Sequence, residues 1–171
     1  MPDPDAVPLP AGDFITWLGM IGPAITDGAE TDVPCGTCTA CCTSAQFIHI
    51  EPDEADTLAH IPPTLVFPAP GRPAGTVLLG YDENGHCPML VDGACSIYEH
   101  RPRTCRAYDC RVFAATGVGA DKPAIAATAR RWHFTFSDES ARRRFEDIRV
   151  RAAGTDPGLS STHRAVTALQ G

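Results

Sequence analysis

The chemistry this sequence offers lies in eight cysteines, all between positions 35 and 110 and in two groups. The first group reads CGTCTACC and sets Cys35, Cys38, Cys41 and Cys42 within eight residues; the second is Cys87, Cys95, Cys105 and Cys110. Two cysteines with two residues between them can turn both sulfurs toward one ion, because the intervening turn aims its amides at the thiolates. Repeating that gap gives Cys35, Cys38 and Cys41 as three local ligands, with a fourth to come from the second group or from a histidine. Cys42 follows Cys41 directly and points elsewhere on either a helix or a strand, so it serves a second site or a bridge. An even cysteine count also suits a disulfide framework, but the tight first group and the missing export signal disfavour it. The expected ligand set is therefore all eight cysteines, holding zinc or iron, the latter as an iron–sulfur cluster.

Second in interest are the cations beside that set. Arg101, Arg103, Arg106 and Arg111 surround the last two cysteines. Arg106 directly follows Cys105 and is the expected donor to the thiolates or to a bound cluster; surface pairing with acids is the alternative. Of six histidines, His86 and His100 lie near cysteines and are candidate substitute ligands or proton donors. No glycine-rich phosphate loop follows a strand, and no serine-nucleophile elbow occurs, so nucleotide-binding and hydrolase readings lack support.

These residues need elements to place them. Residues 46–50 read as a strand, 52–60 as a helix opened by proline and acids, and 76–81 as a second strand. Asp92-Gly93 marks a hairpin whose arms bring Cys87 and Cys95 together. Arg101 and Pro102 start a short helix carrying Cys105. Outside the cysteines, residues 13–20 suit a helix capped by Asp13, residues 124–132 a helix, and residues 137–151 a helix capped by Ser137. Trp132, Phe134 and Phe136 alternate as a short strand would. The expected organisation is a flexible arm over 1–12, one metal-binding domain over 13–152 and a tail over 153–171. Its fold class is α+β, small and loop-rich, organised around the cysteine site, with a helical C-terminal extension.

At 171 residues the chain has room for one domain by default, and 16 Pro with 15 Gly predict much irregular backbone. A formal charge of -7 argues against a generic nucleic-acid binder. That charge is uneven: residues 1–100 hold fourteen acids against Arg72 alone, whereas residues 101–151 hold twelve bases against six acids. Mutual attraction of the two parts is the simplest reading, and a phosphate-binding surface the lesser one. The first ten residues contain Asp3 and Asp5 and no base, and the most apolar stretch, 14–25, is broken by Gly19, Gly22 and Pro23. A cytoplasmic chain with no membrane association is expected.

With CGTCTACC and CPMLVDGACSIYEHRPRTCRAYDC in hand, the chain resembles the zinc- or iron-chelating cysteine-cluster family of the YkgJ type, named for its CxxCxxCC run. The family's second signature is matched by Cys87, Pro88, Cys95, Ile97, Tyr98, Arg101, Pro102, Cys105, Arg106 and Cys110, in the expected order. The resemblance covers roughly 35–113. It implies metal binding more strongly than catalysis, as a module whose metal stabilises a surface for a protein partner. A flagellin lysine methylase belongs to the same broad family, so the resemblance also admits an iron–sulfur enzyme of redox or methyl-transfer type.

Overall fold

A computed structural model describes residues 7–31 and 33–171. The fold is α+β and divides into two compact units, one formed by 1–34 and 109–171 and the other by 35–108.

In the first unit, strand β1 (Leu9–Asp13) lies parallel to β7 (Trp132–Thr135), with Leu9 opposite Trp132 and an irregularity between Pro10 and Gly12. This strand falls inside the segment read as a flexible arm, of which residues 1–6 lie outside the described residues. Prolines at 8 and 10 do not prevent it, because a strand with one neighbour can leave one edge without donors. Asp13 then caps α1 (Phe14–Asp27), accepting from the Thr16 amide at 2.9 Å. Phe14, Trp17 and Ile21 recur at helical spacing and are almost fully buried. Helices α4 (Arg111–Thr116), α5 (Pro123–Ala129), α6 (Glu139–Ala153) and α7 (Ser161–Gln170) complete the unit.

Three expectations need adjusting here. The helix over 124–132 stops at Ala129, so that Trp132 and Phe134 enter β7 as their alternation predicted. Asp138 rather than Ser137 caps α6, its carboxylate accepting from Ala141 at 2.8 Å. The segment read as a tail contains α7, capped by the Ser160 hydroxyl and seated on Ala165 and Ala168. Alanines give a weak hydrophobic pattern in sequence, yet they let a helix approach closely.

A buried ion pair ties this unit together. Arg111 donates through Nε and Nη2 to the Asp109 carboxylate, with an Nη2–Oδ2 distance of 2.8 Å, and both side chains are almost wholly out of water. The Trp17 indole donates to Asp109 at 3.0 Å, and Arg111 Nη1 donates to the Ala11 carbonyl at 3.1 Å. Charges here are satisfied from α1, β1 and α4 at once, so removing one leaves the other stranded.

The second unit contains a three-stranded antiparallel sheet in the order β2 (Ile48–Ile50), β4 (Val77–Leu79), β3 (Val66–Pro68). A hairpin, β5 (Leu90–Val91) and β6 (Ala94–Cys95), turns at Asp92 and Gly93, both with positive φ, as the Asp-Gly pair predicted. Helices α2 (Ala55–Ala59) and α3 (Arg103–Ala107) are a turn or so each. The core is small: Ile50, Ile61, Leu79, Met89 and Ile97 are buried, and Cys87 and Cys95 pack at its edge. Among the described residues no helix is long and apolar enough to cross a membrane.

Asp109→Ala should lower the stability of the full chain by about 3–5 kcal/mol in urea unfolding, the cost of an uncompensated buried charge. A loss below about 1 kcal/mol would show that the pair does not organise the unit.

Candidate metal centre

Three segments bring cysteines to the second unit. The first is the turn-rich run 35–44, where the Cys38 amide donates to the Cys35 carbonyl at 2.9 Å and closes the first two-residue gap. The second is the loop entering the β5–β6 hairpin, carrying Cys87, with Cys95 on β6. The third is α3, carrying Cys105.

Short backbone links lock the first segment to the second. The Cys87 amide donates to the Cys42 carbonyl at 2.7 Å, and the Ala45 amide to the Gly85 carbonyl at 2.8 Å. Gly85 has φ +77, and a Cβ there would meet the Ala45 Cβ at 3.2 Å, so both conformation and close approach call for glycine. Asp82 shapes the same loop by accepting from the amides of Asn84 and His86 at 2.8 and 2.9 Å. Those bonds hold its carboxyl below the usual range.

Helix α3 is held by a carboxylate that the sequence reading passed over. Glu54 is buried; one oxygen accepts from the Glu51 amide at 2.8 Å, and the other accepts from the Arg103 amide at 2.6 Å. A carboxylate thus caps the helix N-terminus from 49 residues away. Thr104 adds a bond to the His49 carbonyl at 2.7 Å. The Glu51–Glu54 spacing is the signal that could have found this residue.

The result is a set of thiols that feel one another. Burial raises the Cys42 pKa to about 11, with Cys87, Cys95, Cys38 and Cys35 adding like-charge repulsion. Burial likewise raises Cys105 to about 12, reinforced by Cys87, Cys42 and Cys95. Cys87 is raised by burial, against which the Met89 and Leu90 amides donate to its sulfur and favour the thiolate. None of the eight cysteines is in a disulfide, and Cys38, Cys41 and Cys105 are exposed. No three of the sulfurs form a group with mutual separations under 4.8 Å; among the described residues that holds only for Asp56, His60 and His100.

Cys110 lies in the other unit. It is buried, and the Trp132 indole donates to its sulfur at 3.1 Å. Arg106, the expected donor, sits where its charge lowers the Asp56 pKa, after the larger effect of the His100 bond. Arg101 favours the Cys105 thiolate, against the larger effects of burial and of the neighbouring thiols. Its guanidinium lies over the Tyr98 ring at 3.7 Å, and its Nε is buried with no hydrogen-bond acceptor among the described residues. The signal for it is Tyr98 three residues earlier, a stacking platform that sequence alone does not distinguish from core. The His100 Nδ1–H donates to the Asp56 carboxylate at 2.7 Å, and the ring stacks on His60 at 3.6 Å. His86 gives its amide to the Asp82 turn.

The donor set fits a soft metal. Thiolates suit zinc and iron–sulfur clusters, amides already point at one sulfur, and the buried Arg101 Nε–H lacks an acceptor of the kind a metal-bound sulfur would provide. Sulfurs from three segments, gathered in a small loop-rich unit, are the arrangement of a thiolate-based chelating domain. Residues 34–126 match the family CxxCxxCC, described as a putative zinc- or iron-chelating domain, and the chain belongs to that family. No curated protein matches the chain, and no solved structure does.

Raised thiol pKa values make the metal-free chain sensitive to alkali. Unfolded thiols ionise near 9.0, whereas Cys42 and Cys105 hold their protons to about 11 and 12. Their contribution is complete below pH 9.0 and is lost as pH rises through those folded values. Thermal unfolding of chelator-treated protein should therefore show Tm falling from about pH 9 upward in wild type. A Cys42→Ser, Cys105→Ser variant should show a smaller fall; equal slopes would contradict the assignment.

Proposed function

We propose that the chain is a metal-holding protein whose zinc, or iron–sulfur cluster, is bound by Cys35, Cys38, Cys41, Cys42, Cys87, Cys95 and Cys105. The observation that carries this reading is the like-charge effect of Cys87 and Cys95 on Cys42, and of Cys87, Cys42 and Cys95 on Cys105, sulfurs that come from three separate segments. Four thiolates satisfy a closed zinc site or one cubane cluster, so the seven cysteines exceed the need of one centre and fit two that share or divide them. The bound group supplies charge neutralisation and crosslinking. The chain's own residues do the rest: Glu54 fixes α3 and with it Cys105, Gly85 and Asp82 set the Cys87 loop against Cys42, and Arg101 offers its guanidinium to the sulfurs.

This reading makes the metal structural. Binding of zinc to such thiolate sets is worth about 10–16 kcal/mol at neutral pH, comparable to the stability of a whole domain. A unit whose core cluster has five buried apolar residues gains more from that than a large-cored domain would. The surface so stabilised is offered to a protein partner, in a cytoplasmic setting where thiols stay reduced. Cys110 is retained as an eighth ligand only if its removal costs metal, since its indole contact also fits a packed core thiol.

Anaerobically purified protein settles the metal by analysis and colour. Colourless protein with stoichiometric zinc supports a zinc module. Brown protein with labile sulfide supports an iron–sulfur centre and revives redox or methyl-transfer chemistry. Cys87→Ser and Cys105→Ser should each lower metal content by at least half, and Cys110→Ser should leave it unchanged while lowering Tm. Full metal content in the Cys87 and Cys105 variants would end the proposal.

A further inference from the structure

The first unit contains a cleft of about 640 Å³, within the range of small-molecule sites. It is lined by the rings of Phe113, Trp132, Phe134, Phe136 and Phe145. Phe113 and Trp132 are buried, but Phe134, Phe136 and Phe145 are only partly so, which leaves aromatic surface facing the space. Phe134 and Phe145 sit edge to face on Phe14 and on each other, and Phe136 edge to face on Phe145, with centroids 5.1–6.2 Å apart, which holds the lining in place. Gly119, Ala120 and Ala126 form small-residue stretches of the wall and leave the volume open.

The polar lining is of one sign. Arg130 and Arg149 border the cleft, with His133, and no acidic side chain lines it. Arg149 is held at the rim: Nη1 donates to the Ala114 carbonyl at 2.8 Å, and the guanidinium faces the Phe145 ring at 5.2 Å. A Cβ on Gly117 would come within 3.0 Å of that guanidinium, and Gly117 has φ +76, so the wall is built with glycine where the cation passes. Neither arginine has a carboxylate within ion-pair distance among the described residues. A guanidinium beside an aromatic cavity, without an internal counter-ion, recognises an anion by charge-assisted hydrogen bonds while the rings take up an apolar body.

We infer that this cleft binds a small organic anion with an aromatic body, an aryl carboxylate, with Arg130 and Arg149 on the carboxylate and the rings of Phe134, Phe136 and Phe145 on the body. The cleft's lining lies within the first unit, and the inference does not depend on the metal reading.

Titration of the full ¹⁵N-labelled chain with 2-naphthoate, and with uncharged 2-naphthamide, tests it. The expected result is saturable shifts at the Gly117, Gly119 and Ala120 amides, with naphthoate binding about tenfold or more tighter than the amide. Arg130→Gln, an exposed change that spares the fold, should remove most of that preference, and Ala126→Phe should abolish both titrations by filling the space. No saturable shift at millimolar naphthoate, equal affinity for acid and amide, or shifts centred on Cys35–Cys42 would each overturn the inference.

Discussion

Thiolates repel one another, and the second unit gathers them regardless. Cys42, Cys87 and Cys105 come from different segments; beyond burial, Cys87 makes ionisation of Cys42 harder, and Cys87 and Cys42 make ionisation of Cys105 harder. Two forces oppose such a cluster: desolvation of the charged sulfur and like-charge repulsion. A bound cation reverses both, since it demands the deprotonated sulfur and neutralises it. The surrounding structure makes sense as a frame for that exchange, because its strongest bonds fix backbone positions and not the sulfurs themselves. Glu54 holds the start of α3, and the Cys42–Cys87 and Ala45–Gly85 links hold two loops at backbone distance.

The two units solve their stability differently. The first relies on an aromatic cluster around Phe14 and on the Asp109–Arg111 pair, which receives donors from Trp17 and gives one to Ala11. Buried ion pairs contribute little net stability but penalise alternatives in which they are broken, so this one specifies how β1, α1 and α4 associate. The second has a short sheet, one-turn helices and a core of a few aliphatic side chains. Domains of that kind are the ones that recruit metals.

Much of the chelating region was legible because its signals are local. The cysteine spacing, the Asp92-Gly93 hairpin and the Pro102 helix start are each written within a few residues, and each appears where expected. The signature positions also acquire physical roles: Ile97 is core, Tyr98 carries the Arg101 guanidinium, and Pro102 opens α3. What sequence left hidden depends on partners far along the chain. Glu54 reads as one more surface acid until Arg103 is placed against it, and β1 is unreadable without β7. Arg106 was favoured on adjacency to Cys105; Arg101, four residues before Cys105 and outside α3, also favours the Cys105 thiolate. α7 escaped because alanines carry its contacts.

X-ray absorption at the zinc and iron edges of the purified protein bears most directly on all of this. The account requires a first coordination shell of sulfur, at about 2.3 Å for zinc. A shell of nitrogen and oxygen at about 2.0–2.2 Å with no sulfur would show that the gathered thiols are not what the metal binds.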